Sequence, residues 1–156
     1  MDIVFVCHGN ICRSPIAEYV FRELVRREGL ESAFDISSAG VSSEESGNDI
    51  YPPAKDVLRR HGIPFSRHRA HRITDPEFAD ADLVIALDRS NLSALIRRFG
   101  QDGKISMLLS RDVADPWYTD DFNTAYDDIE KGCISLLMDT KTAFPDILGK
   151  TADKEQ

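Results

Sequence analysis

Residues 81–87, ADLVIAL, form a near-continuous apolar run of strand length with little polar alternation to mark a solvent face. A strand of that composition has to be covered on both sides, which is the setting of a parallel sheet with helices on each face. Ile3 to Val6 is a second run of this kind, and Phe34 to Ser38 and Lys104 to Leu109 are shorter strand candidates. Between them the apolar period changes from strand-like to helical. Ile16, Ala17, Val20 and Leu24, widened by Phe21, share one helix face; so do Ala54, Val57, Leu58 and His61, and so do Leu92, Leu95, Ile96 and Phe99. Phe122, Ala125, Tyr126, Ile129, Cys133, Leu136 and Leu137 trace the longest stripe.

Helix punctuation agrees with this pattern. Glu18 near the start of the first stripe, Arg26 and Arg27 near its end and Gly29 beyond it predict a helix over about residues 15–28. Pro52 and Pro53 open the second stripe, and Gly62 and Gly100 stop the second and third. Residues 63–80 have no clean period and read as a loop with a short helical turn near residues 76–79, whereas residues 110–121 read as a polar loop. Strands alternating with amphipathic helices predict an α/β fold: a three-layer sandwich with a central, mainly parallel four-stranded sheet and helices on both faces. The 156 residues suit one domain over residues 1–148, followed by a polar tail over residues 149–156.

Charge and cysteine usage narrow the function classes. The net charge of −8 argues against a nucleic-acid partner, which requires a basic face. No apolar run approaches the roughly 20 residues that span a bilayer, so no membrane association is expected. Met1 and Asp2 lead straight into a strand without a basic region or cleavage site, and a cytoplasmic setting is expected. Three cysteines, none in a C-x-x-C pair, suit neither a disulfide framework nor a structural zinc site, and no metal or cofactor is expected.

The chemistry concentrates in CHGNICRSP, directly after the first strand and at the start of the first helix. Such a loop collects backbone N–H groups at a helix N-terminus and favours an anion such as phosphate or sulfate. Cys7 faces those N–H groups and Arg13, surroundings that favour the nucleophilic thiolate over the thiol. Arg13 offers a planar fork for the oxygens of a transferring phosphoryl group. Gly9 is expected to take positive φ and let the backbone approach the ligand, and Asn10 to pin the loop through its amide. Ser14 is expected as the helix N-cap, with a second reading in which its hydroxyl donates to the Cys7 sulfur.

The segment CHGNICRS resembles the phosphate-binding loop of the low-molecular-weight protein tyrosine phosphatases. The resemblance continues through SSAG at residues 37–40, HGIPFSRHRAHRIT at 61–74, ADLVIALDRSN at 81–91 and DPWYTDDFNTAYDDIEKGC at 115–133. It implies a phosphatase acting on a phosphotyrosine protein or a small aryl phosphate through a phosphocysteine on Cys7. Arg13 would clamp the phosphoryl group, Asp115 would serve as acid and then base, and Trp117 and Tyr118 would line the cleft. Residues His8 to Cys12, including Ile11, and Ser14 would bind the substrate phosphate. Cys12 resembles the family's second cysteine, able to form a reversible disulfide with an oxidised nucleophile, or else is a packing thiol. His68 and Asp88 match positions that support the loop as a hydrogen-bonded pair, and Ser38 matches a serine that braces it.

Three residues depart from the family pattern, and two of them bear on substrate choice. His8 stands where the family has a small or apolar residue, either tuning anion affinity with pH or facing solvent. Glu44 stands where an aromatic or apolar rim residue is common, and an acid there disfavours acidic peptide flanks. His71 replaces a common arginine. An arsenate reductase on this scaffold needs a redox cysteine pair in mid-chain, and between Cys12 and Cys133 there is none. A non-catalytic phosphoprotein-binding module lacks a nucleophile or an acid, and a P-loop nucleotide enzyme needs G-x-x-x-x-G-K-[ST].

Overall fold

The computed structural model describes residues 1–146. The first strand, β1 (Asp2–Cys7), has the alternation that its composition demands. Ile3, Phe5 and Cys7 enter one apolar core, and Val4 and Val6 enter another on the opposite side. The strands β2 (Asp35–Gly40), β3 (Leu83–Ala86) and β4 (Ile105–Met107) join it in a four-stranded sheet of order β2-β1-β3-β4. Every pairing is parallel, so the mixed edge that "mainly parallel" allowed is absent among the described residues.

Helices cover both faces, giving the three layers expected. On one side lie α1 (Arg13–Arg27), α2 (Pro52–Arg60) and α6 (Phe122–Ala143), which share a core with Ile3, Phe5 and Ile85. On the other, α3 (Asp75–Asp80) and α4 (Arg89–Phe99) pack Phe78 and Leu95 against Val4, Val6, Val84 and Ala86. Phe21 of α1 is fully buried, with its ring 5.7 Å from Phe5 and 5.5 Å from Phe34. Truncating such a residue to alanine costs about 3 to 5 kcal/mol. Close packing also explains Gly132 on α6: a Cβ there would lie 2.5 Å from Cγ of Leu108.

Three local expectations change. The first helix begins at Arg13, ahead of Pro15, because the Cys12 carbonyl already accepts the first helical bond from Ile16 N–H at 3.1 Å. Ser14 is therefore buried within the first turn and is not the N-cap, a correction with consequences for the site below. The turn near residues 76–79 is the full helix α3, started by a capping box in which Thr74 and Glu77 satisfy each other's backbone N–H groups. The polar loop 110–121 contains α5 (Pro116–Thr119): Asp115 Oδ1 caps it from Trp117 N–H at 3.1 Å, and Asp120 ends it with φ of 59°. Asp-Pro marks a turn and a helix start alike, so sequence did not separate the two. The expected boundary after residue 148 and the tail 149–156 lie outside the described residues.

The strand order fixes where a ligand can sit. From β1 the chain moves outward to β2, then crosses back past β1 to β3, so the winding direction reverses between β1 and β3. At such a switch point the loops leaving the carboxyl ends diverge and open a crevice. Residues 8–12 after β1, Asp88 after β3 and residues 110–115 after β4 all emerge at that edge.

Candidate active site

Cys7 is the last residue of β1, and the chain then loops through residues 8–12 into α1. The reversal is made at Asn10, with φ of 63°; Gly9 does not take positive φ, contrary to expectation. Asparagine tolerates the left-handed region because its side chain supplies local hydrogen bonds. Gly9 is constrained by contact instead, since a Cβ there would lie 3.1 Å from Cγ of Glu45. Gly40, to which sequence reading gave no role, is more tightly held: a Cβ would lie 2.7 Å from the His8 carbonyl oxygen. Only glycine lets the end of β2 pass so near the loop.

The fully buried Asn10 uses its whole amide. Nδ2 donates to Ser14 Oγ at 2.9 Å and to Ser38 Oγ at 3.0 Å, while Oδ1 accepts from His71 N–H at 3.2 Å. Ser38 in turn donates its hydroxyl hydrogen bond to Glu18 Oε1 at 2.6 Å. Because Ser14 accepts from Asn10, its hydroxyl proton is left for the Cys7 sulfur, 3.0 Å away. The direction of this chain, ending in a donor aimed at Cys7 Sγ, suits a thiolate. Glu18, read from sequence as a first-turn acid, is a buried member of this network, which Arg22 also holds at 3.0 Å. Its partner Ser38 is twenty residues away in the chain, so local spacing carried no signal.

His68 and Asp88 both brace the loop, yet they do not pair with each other. They act on different parts of it. His68 Nε2–H donates to the Asn10 carbonyl at 2.7 Å, whereas Asp88 Oδ2 lies 2.9 Å from an Arg13 terminal nitrogen and Oδ1 caps α4 through Asn91 N–H at 2.7 Å. Asp49, unremarked in the sequence, holds the segment carrying His68. Its carboxylate accepts from the N–H groups of His68 (2.9 Å) and Ile50 (2.7 Å) and from Lys55 Nζ (2.6 Å). Burial alone would raise its pKa, but the lysine and the two backbone N–H groups outweigh that and bring it down to about 2.

Arg13 is 2% exposed and held from three directions, by the Val113 carbonyl at 2.8 Å, by Asp88, and by Asp115 Oδ2 at 3.4 Å. Burial works against its charge, but the negative Cys7, Asp115 and Asp88 around it prevail and hold it above the ordinary arginine range. The guanidinium is thus locked beside Cys7. Among the described residues the N–H groups of residues 9–14 donate to no protein acceptor, so they are left to donate to a ligand. Cys12 lies in the same loop as an unpaired, buried thiol. Burial first, and then the charge of Cys7, push its pKa up to about 12, so it stays protonated.

A cleft of about 490 Å³ opens over this floor, lined by Cys7, Arg13, Ile11, Asp115, Trp117 and Tyr118. Its size suits a small ligand group. Trp117 is half exposed, leans on Tyr51 with 5.0 Å between ring centroids, and stands with the 85% exposed Tyr118 as an aromatic wall. Across the mouth, Glu44 meets His8 at 3.3 Å, both well exposed. Ser14, Asn10, Gly9 and Cys12 form the floor and its backing, so every expected site residue lies at this one edge of the sheet.

A family profile described as low molecular weight phosphotyrosine protein phosphatase matches residues 2–145. The chain belongs to this phosphatase family. The human low molecular weight phosphotyrosine protein phosphatase is 40% identical, covering 87% of this chain and 93% of the human one. The crystal structure of YfkJ from Bacillus subtilis superposes with a TM-score of 0.89 at 35% identity, covering 92% of this chain and 96% of YfkJ. The YwlE arginine phosphatase, solved as a Cys-to-Ser mutant with a phosphorylated active-site serine, superposes at 0.81 with 31% identity, covering 90% of this chain and 96% of YwlE. This low molecular weight phosphatase is thus a phosphoric monoester hydrolase whose family core spans nearly all described residues.

Proposed function

We propose that this phosphatase hydrolyses phosphotyrosine in proteins, and small aryl phosphates, through a phosphocysteine at Cys7. The observation that carries the reading is Arg13 fixed in the cleft between Cys7 and the Asp115 carboxyl. A phosphate dianion seated on the loop N–H groups and Arg13 presents phosphorus to the Cys7 thiolate. Sulfur–phosphorus bond formation breaks the bond to the aryl oxygen, and protonated Asp115 gives its proton to that oxygen. The resulting carboxylate then takes a proton from a water, whose oxygen attacks phosphorus and expels the Cys7 thiolate. Ser14 O–H stabilises that thiolate at the start and the end. The phosphorylated serine of the YwlE mutant supports a phosphoryl acceptor at this place in the family.

Trp117 and Tyr118 favour an aromatic leaving group through stacking. Cys133 is fully buried in the core and does not reach the loop as a redox partner, which disfavours arsenate reduction. Turnover of an aryl phosphate by wild type, Cys7→Ser and Asp115→Asn, with EDTA present, tests the mechanism. Cys7→Ser is expected to lose at least about a thousandfold, and Asp115→Asn about 10²- to 10⁴-fold. Undiminished turnover by Cys7→Ser would sink the mechanism, and faster hydrolysis of phosphoarginine than phosphotyrosine would overturn the substrate class.

A further inference from the structure

The segment that delivers Asp115 leaves β4 at Met107, and two of its side chains dock on α6 before it reaches the cleft. Leu108 fits over Gly132, the contact that leaves no room for a Cβ. One helical turn earlier, Asp128 receives Arg111: Nη1 donates to Oδ2 at 3.0 Å and Nη2 to Oδ1 at 2.8 Å. Residues 128 and 132 stand one above the other on the same helix face. The segment is therefore seated on α6 twice, once by an apolar contact and once by a charged one.

From Arg111 onward each residue is tied to a different element. Arg111 Nη1 also donates to the Asp112 carbonyl at 3.1 Å, so one guanidinium joins α6 to the backbone of the segment. Asp112 Oδ1 accepts from Arg89 N–H at the start of α4 at 2.8 Å. Val113 N–H donates to the Leu87 carbonyl after β3 at 3.0 Å, and the Val113 carbonyl accepts from Arg13 at 2.8 Å. Asp115 itself is capped into its own turn by Trp117 N–H and reaches Arg13 only at 3.4 Å, so where its carboxyl stands depends on the anchored residues before it. A pair with an arginine side chain 63% exposed adds little to the stability of the fold. Asp128, however, is nearly buried, and both its oxygens are taken by one planar fork, which fixes direction as well as distance.

We propose that Arg111 and Asp128 are positioning residues for the reaction: the pair holds the acid segment on α6 so that the Asp115 carboxyl stands at the leaving-group oxygen. The inference rests on the reading of Asp115 as the acid that protonates the aryl oxygen while the phosphorus–oxygen bond breaks. Neither Arg111 nor Asp128 lines the cleft, so both act through the segment and not on the substrate. Proton transfer needs the acid within hydrogen-bond reach of that oxygen, and a misplacement of about 1 Å can cost about a hundredfold. The loss depends on the leaving group. The phenol of tyrosine titrates at about pH 10, so its oxygen has to be protonated as it departs. A dinitrophenolate is stable as an anion and departs without the proton.

The test compares kcat/KM for phenyl phosphate and dinitrophenyl phosphate in wild type, Arg111→Met, Asp128→Leu, the double variant and Asp115→Asn. This constant reports the steps up to the phosphocysteine, so the later role of Asp115 as base does not enter. Arg111→Met strands a nearly buried carboxylate, whereas Asp128→Leu removes it and leaves Arg111 to solvent. Each is expected to lose roughly tenfold or more on phenyl phosphate and less than about threefold on dinitrophenyl phosphate. The double variant is expected to lose no more than the worse single one, as for residues that act as a unit. A general loss of folded enzyme lowers both substrates alike and does not produce this split. If Asp115→Asn shows the split while the Arg111 and Asp128 variants lose both substrates equally, lose nothing, or lose additively, the positioning role is overturned. If Asp115→Asn itself shows no split, the reading of Asp115 as acid fails, and the positioning role fails with it.

Discussion

Glu44 and His8 illustrate how a residue pair at the mouth of the cleft acts on ligands more than on the fold. An exposed carboxylate–imidazole contact of this kind contributes about 0 to 1 kcal/mol of stability, so its 3.3 Å approach does little to hold the loop. Its charge still faces whatever flanks a bound phosphotyrosine. Phosphopeptides with basic flanks are therefore expected to show higher kcat/KM than matched acidic ones, and Glu44→Gln to narrow that ratio by roughly three- to tenfold. A ratio unchanged by the substitution would remove Glu44 from specificity. Cys7, Arg13 and Asp115 could be named from sequence because each belongs to a short motif. Glu18 and Gly40 could not, because one is defined by Ser38 on another strand and the other by the His8 carbonyl passing overhead.

Among the elements, the segment between α2 and α3 was the least legible, with no period to mark it. Its order comes from single polar contacts: Asp49 to His68 N–H, His68 to the Asn10 carbonyl, and Ala70 N–H to the Asn48 carbonyl at 2.8 Å. The depressed carboxylate of Asp49 makes this brace sensitive to pH. Its pKa is about 2 when folded, below the ordinary 3.8, so folding favours the ionised form. That contribution is complete above about pH 4 and disappears as the pH falls through 2. Allowing for partial exposure, Asp49→Asn is expected to lower stability by about 1 to 2 kcal/mol at neutral pH. In urea unfolding, the gap between variant and wild type should shrink between pH 4 and pH 2; a gap independent of pH would exclude the carboxylate as its source. The strands and longer helices, by contrast, were legible because burial on two faces or one leaves a period in the sequence. The short α5 left only Asp-Pro, which fits a turn equally well.

At the scale of the whole molecule, the parallel sheet converts distance in sequence into proximity at one edge. Cys7 ends β1 and Asp115 lies in the segment after β4, and the reversal of strand order beside β1 brings both to Arg13. The protein is acidic overall, so the phosphate binding proposed for it has to arise locally, from the donors of residues 9–14 and from Arg13. On the proposed mechanism the phosphoryl group passes through Cys7 and no other side chain. Acid quench of Asp115→Asn during turnover of an aryl phosphate, followed by peptide mass spectrometry, measures this most directly. One phosphoryl mass on the peptide bearing Cys7, localised to that sulfur, is the predicted result. Turnover with Cys7 unmodified, or with the phosphoryl group on neighbouring His8, would contradict it.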